Sequence, residues 1–174
     1  MEIRPYKSSD FYKIKTWVNN ERDHALWCAN LIPYPLEKHG FEKTLKEISL
    51  KNNDIPLVSV TEKGDLAGFF CYGINSDTKV GKLKFIIISP TYRNKGYGKE
   101  MVSLAVKNAF DNQANSVELN VFSCNIKAKK CYSGAGFSVR LITENAFRFK
   151  NEIWTRYNMT IETNNNKRDF KNAI

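Results

Sequence analysis

Residues 82–110, KLKFIIISPTYRNKGYGKEMVSLAVKNAF, constrain this chain more than any other stretch. Lys82 to Ser89 reads as a strand, with Leu83, Phe85 and Ile87 on one face and a run of three isoleucines at its end. Tyr97 to Phe110 reads as a helix, with Met101, Val102, Ala105, Val106, Ala109 and Phe110 in a broad apolar stripe. Between them lies Arg93-Asn94-Lys95-Gly96-Tyr97-Gly98. Two glycines two apart let the backbone take positive φ and turn its amides inward with no Cβ in the way. The helix behind adds unpaired N–H groups and the positive end of its dipole. A turn built this way suits an anion, above all a phosphate.

The spacing narrows which phosphate. A Walker loop needs Gly-Lys-Ser/Thr, and Gly98 is followed by Lys99-Glu100. A dinucleotide fingerprint needs a third glycine at position 101, which is Met, and an acidic residue about 20 positions on. What stands here is Arg-x-x-Gly-x-Gly after strand-Ser-Pro, which resembles the acyl-CoA pyrophosphate loop of the GNAT acyltransferase superfamily. A glycine-rich turn that holds no ligand is the plain alternative.

A second block, Asn125-Ile-Lys-Ala128-Lys129-Lys-Cys-Tyr132-Ser-Gly-Ala-Gly136-Phe137, is similar to that family's Asn-x-x-Ala-x-x-x-Tyr-x-x-x-Gly-Phe segment. On a helix Ala128 and Tyr132 share a face, although Tyr132 also suits a core position before a C-terminal glycine. The resemblance implies that Asn125 and Ala128 border the pantetheine and that Tyr132 protonates the departing thiolate as a general acid. It further implies that main-chain amides of Ile86, Ile87 and Ile88 face the thioester and pantetheine. Amides of Arg93, Asn94, Lys95, Gly96, Tyr97, Gly98 and Lys99 then hold the pyrophosphate, and Arg93, Lys95 or Lys129 meets the 3′-phosphate.

Along the chain, residues 2–7 read as a first strand, and Ser8-Ser9-Asp10 caps a helix over about 11–20. The aromatic, proline-interrupted segment from Asp23 to Pro35 cannot be one helix. A helix follows over about 36–51. Strands at 56–62 and 66–75 flank Lys63-Gly64-Asp65, a hairpin signal. Beyond the central helix come a strand at 116–123, a short helix from Asn125 to Ser133, and closing strands at 137–144 and 152–161. This order predicts a mixed α/β fold and resembles the GNAT fold over residues 1–161. The resemblance implies a central, mostly antiparallel sheet flanked by helices, with one parallel pair splayed at the acyl-CoA site. Residues from 162 on have little to bury and read as a frayed tail.

The totals set bounds. The chain has 174 residues, 42% of them apolar, which is enough for a real core. No apolar run reaches the roughly 20 residues of a membrane span, and the N-terminus lacks an apolar leader, so the cytoplasm is the expected location. Cys28, Cys71, Cys124 and Cys131 form no C-x-x-C pair, and only His24 and His39 accompany them, so no metal site is expected. The net charge of +9 suits a polyanionic cofactor, an acidic substrate or nucleic acid, yet no nucleic-acid-binding signature accompanies it.

The activity implied by the resemblance is acyl transfer from acetyl-CoA to a primary amine by direct attack. A small molecule or a peptide N-terminus is the acceptor, and a homodimer is compatible. A catalytically silent CoA-binding module is the other possibility, with a basic nucleic-acid-binding domain behind it. The general base is the open point. Many members of the family it resembles place a Glu on the central strand or on the next one, and the matching positions here are Lys82 and Asn120. Glu118 and His24 are the candidate bases, and Asn120 is a candidate for positioning water or substrate. Asp23, Trp27 and Tyr34 are the candidate acceptor contacts.

Overall fold

A computed structural model describes residues 1–163. Seven strands form one sheet in the order β1-β2-β3-β4-β5-β7-β6. The strands are β1 (Glu2–Pro5), β2 (Ile55–Val60), β3 (Leu66–Ile74), β4 (Val80–Ile88), β5 (Ser116–Phe122), β6 (Ser138–Phe149) and β7 (Glu152–Glu162). Five helices flank them: α1 (Phe11–Lys15), α2 (Glu21–Cys28), α3 (Lys38–Asn52), α4 (Tyr97–Asp111) and α5 (Ile126–Gly134). All strand pairs are antiparallel except β4 with β5, which α4 joins as a crossover. The mixed α/β expectation and the single parallel pair are thus both present. No described helix is long and apolar enough to cross a membrane.

Helical structure departs from expectation in the first third. The helix read over 11–20 stops at Lys15, and α2 begins at Glu21, with the Asn20 side chain accepting from the Asp23 N–H. Left-handed Ala29 and Asn30 end α2 before the prolines do. Helix α3 and strand β5 match their expected bounds within two residues, whereas β6 runs on to Phe149. Residues 164–174, most of the expected tail, lie outside the described residues.

Two apolar layers sandwich the sheet. Met101, Val102, Ala105, Tyr132 and Phe137 pack α4 and α5 onto one face, together with Leu83, Val117, Leu119 and Met159. Phe11, Ile14, Trp17, Phe41 and Leu45 pack the first three helices onto the other, together with Val58, Phe69, Phe85 and Ile87. A third cluster joins Ala25 of α2 to Phe122, Phe149 and Trp154.

Strand β4 contributes to both layers because it changes phase. Phe69 stands opposite Ile87 but Cys71 stands opposite Lys84, so Phe70 faces two residues, Phe85 and Ile86. Phe85 takes φ 52° there, a conformation that costs a non-glycine residue about 1–2 kcal/mol. This β-bulge reverses the alternation. Leu83 lies in the α4 layer, Phe85 and Ile87 in the α1–α3 layer, and Ile86 and Ile88 again toward α4. The expectation that Leu83, Phe85 and Ile87 share one face is therefore corrected. The extra residue at Phe85 is the cause, and nothing in an Ile-Ile-Ile run signals it.

Candidate functional site

The bulge sits where the sheet opens. Parallel pairing of β4 with β5 covers Val80–Leu83 against Ser116–Leu119 and then stops, although β4 continues to Ile88 and β5 to Phe122. The Ser89 N–H donates to the Ala67 carbonyl at 2.9 Å. Antiparallel alternation then turns Ile87, opposite Phe69, toward β3 as well. Ile88 between them presents its main chain to the gap, and Ile86 lies in the bulge with no single partner on β3. Of the three expected amides, alternation turns that of Ile88 toward the gap and that of Ile87 toward β3, while Ile86 sits in the bulge.

At the end of β4 the chain turns through Pro90–Tyr92 into the glycine loop. Asn94 takes φ 60° and Gly96 φ 86° before α4 begins at Tyr97. The first return bond of the helix runs from Glu100 N–H to Gly96 C=O, and the amides of Asn94 through Lys99 reach no backbone acceptor. These N–H groups therefore line an open concave turn at a helix N-terminus, the expected anion cradle. A Cβ on Gly96 would meet nothing within 4 Å, so its glycine answers to φ. At Gly98 the reason is proximity: a Cβ would lie 3.2 Å from Cys131 Sγ and 3.4 Å from Ile88 Cγ1. The lack of a side chain there keeps α4, α5 and the end of β4 close.

Arg93 serves the loop differently from the sequence expectation. Its Nε donates to the Ile88 carbonyl and its Nη2 to the Trp17 carbonyl, both at 3.0 Å. The guanidinium thus ties the end of β4 to the chain leaving α1. Lys95 and Lys99 remain exposed beside the cradle, whereas the Lys129 ammonium rests 4.3 Å above the Tyr157 ring. Asn125 caps α5, its Oδ1 accepting from the Ala128 N–H at 3.3 Å, and Ala128 packs against the core beside α4.

Tyr132 is buried in the α4–α5 layer, its ring 6.4 Å from that of Phe137. Its hydroxyl makes no hydrogen bond to any described residue. Burial, with a smaller contribution from Cys131, pushes the phenol above its ordinary pKa. It is a neutral O–H donor throughout the physiological range.

The base candidates stand apart from this arrangement. His24 is 0% exposed. It packs on Cys28, with ring nitrogens 3.5 and 3.6 Å from Sγ, and edge-on to Tyr34. Burial lowers its pKa, so the candidate base at this position is a neutral core imidazole. Unfolded His24 takes a proton near pH 6.5 and folded His24 resists it. Stability is therefore expected to fall as pH drops from about 7 toward 5. Melting temperatures across that window should show a shallower decline in His24→Gln.

Glu118 is bound by Arg140 at 2.6 Å and faces a shallow polar pocket of about 470 Å³ with Asn120, Arg156 and Asn158. It pairs in register with Lys82 inside the closed part of the β4–β5 ladder. Asn120 is the first β5 residue past the last paired position, at the mouth of the gap, and its Oδ1 accepts from Asn158. Asp23 completes the α2 cap through Asn20. Tyr34 is half exposed, ahead of a cis bond to Pro35. Trp27 is drawn inward, its indole N–H donating to the Phe85 carbonyl at 2.8 Å. That bond and the Arg93 brace escape sequence reasoning, because both end on main-chain carbonyls that no side-chain pattern marks. The cysteines are free thiols: Cys28 and Cys71 are buried, Cys124 and Cys131 half-buried. No cluster of three metal-ligating side chains occurs among the described residues.

Comparison with known proteins bears on the same elements. A family model described as the acetyltransferase (GNAT) family matches residues 11–137. That range includes the bulged strand, the glycine loop and α5. Among solved structures, the spermidine N-acetyltransferase of Vibrio cholerae in complex with CoA and spermine aligns with a TM-score of 0.79 at 20% identity, covering 92% of this chain and 94% of that one. A dodecameric structure of the enzyme from the same organism aligns with a TM-score of 0.73 at 20% identity, covering 92% of each chain. Mutant forms of its spermidine/spermine N-acetyltransferase align with a TM-score of 0.72 at 18% identity over 99% of both chains. At these identities the likeness is one of fold. By its family match, this chain belongs to the GNAT acetyltransferase family, enzymes that move an acetyl group from acetyl-CoA to an amine.

Proposed function

We propose that acetyl transfer takes place in the gap between β4 and β5, with the acetyl-CoA diphosphate held by the main-chain amides of residues 94–99. The observation that carries this reading is the coincidence of two sets of open amides. One lies at the bulged end of β4 and the other at the N-terminus of α4, with Gly98 keeping them close. Acetyl-CoA supplies a thioester whose acyl group passes to the amine. The Ile86 and Ile88 amides are placed to polarise its carbonyl. Lys95 and Lys99 add positive charge beside the cradle. Tyr132, on the α4–α5 side, donates its proton to the departing sulfur.

The amine arrives from the opposite face, past Asn120 and the α1–α2 segment. No described carboxylate or imidazole stands free at the mouth of the gap, so the ammonium loses its proton to water, with Asn120 orienting the amine or a water. The relatives' own acceptors make spermidine and spermine the first amines to test, beside simple alkylamines and a dipeptide. Release of CoA thiol from acetyl-CoA with such a panel is the decisive assay. With its preferred acceptor, kcat/KM should climb about tenfold per pH unit up to the acceptor's own pKa, near 10 for an alkylamine. A plateau near pH 6.5–7 would point to a histidine base instead, and silence toward every amine would favour the CoA-binding module. Long apolar-edged β6, with Val139, Leu141 and Ile142 exposed, fits association with a second copy, which sedimentation velocity would detect.

A further inference from the structure

We infer that Trp27 is a positioning residue for acyl transfer. Its indole N–H holds the left-handed kink at Phe85 that swings the Ile86 and Ile88 amides to the open side of β4. The inference rests on the acyl-transfer reading of the β4–β5 gap and assigns that site one further working part.

Phe85 is the first of the two residues that face Phe70, and its positive φ is a conformation an aromatic residue seldom adopts. Something other than local preference must hold it. The Phe85 carbonyl stands in the bulge, where two residues of β4 share one partner on β3, and a carbonyl there needs a donor. Trp27 Nε1 supplies that donor at 2.8 Å. The indole itself is closely held, with ring centroids 6.1 Å from His24, 6.3 Å from Phe41 and 6.4 Å from Phe69. Its donor therefore points at one carbonyl and has little freedom to seek another. Trp27 lies on the α2 side of the sheet and the expected thioester amides one residue past Phe85 and beyond. The bond thus reaches the chemistry through the backbone, with no side chain placed in the gap. Carbonyl polarisation depends on donor direction, and a small misplacement of donors is felt in the rate far more than in binding.

The closing experiment replaces Trp27 with its sulfur isostere benzothienylalanine by site-specific incorporation, which keeps the bicycle and deletes only the N–H. Trp27→Phe is made in parallel. The expected result is a kcat lower by about 10- to 100-fold with the dissociation constant for acetyl-CoA changed by no more than about twofold. In 15N-isoleucine-labelled protein the Ile86 and Ile88 amide resonances should move while that of Ile3, on β1, stays. Unchanged kcat in the folded isostere overturns the role, as does a loss of kcat matched by an equal loss of acetyl-CoA affinity. A wild-type protein that neither binds nor turns over acetyl-CoA would instead remove the acyl-transfer reading itself, so the two failures are distinct. If the isostere folds poorly, the Trp27→Phe kinetics and isoleucine spectra decide by the same criteria.

Discussion

Tyr132→Phe is expected to cut kcat by roughly 10²- to 10⁴-fold while leaving acetyl-CoA affinity nearly intact. The reasoning starts from the environment of the phenol. The ring is buried beside Phe137, so phenylalanine fills the same space and the fold keeps its packing. The hydroxyl makes no hydrogen bond within the described chain, so its removal strands no partner and costs little stability. Burial raises its pKa, which keeps the proton available over the working range. A group buried, unpartnered and protonated is suited to a demand that arises only during reaction. Deleting it should therefore act on kcat, and the melting temperature should scarcely move. Undiminished kcat in a well-folded Tyr132→Phe protein would mean that solvent supplies the proton.

The second large effect concerns Gly96. Acetyl-CoA at about 100 times its dissociation constant should stabilise the native protein by about 2.7 kcal/mol, roughly 5–10 °C in melting temperature for a domain of this size. Gly96→Val should abolish that gain. The residue takes φ 86°, which a β-branched side chain tolerates worst, and refolding the turn would turn its amides away from the diphosphate. Gly64 provides the control. It has φ 83° in the β2–β3 hairpin and equally open surroundings. Gly64→Val should lower the melting temperature by a comparable amount in the absence of ligand yet retain the full acetyl-CoA shift. Differential scanning fluorimetry on the three proteins reads both quantities. Equal ligand shifts in all three would show that the diphosphate is bound elsewhere.

Much of this was legible in the residues. Apolar spacing marked α4 and β5, and the two glycines marked the turn between β4 and α4. Asn125 marked the start of α5 and the glycines after Ser133 its end, which puts Tyr132 on that helix. What escaped was decided by main-chain events. A single extra residue at Phe85 reversed the faces of the following isoleucines, and no glycine announced it, since an aromatic occupies the kink. The resemblance offered Arg93, Lys95 or Lys129 to the 3′-phosphate, whereas two nearby carbonyls hold the Arg93 guanidinium. Trp27 and Asp23 were expected at the acceptor; one turned inward to a carbonyl and the other joined a helix cap. His24 was a candidate base, whereas α2 carries its ring inside.

The three adjacent isoleucines of β4 have the same chemistry and different neighbourhoods. Trimming Ile87 to valine opens space among the first three helices. The same methyl removed from Ile86 or Ile88 instead loosens the seating of α4 and α5 on the sheet. The two apolar layers are thus tunable from consecutive codons.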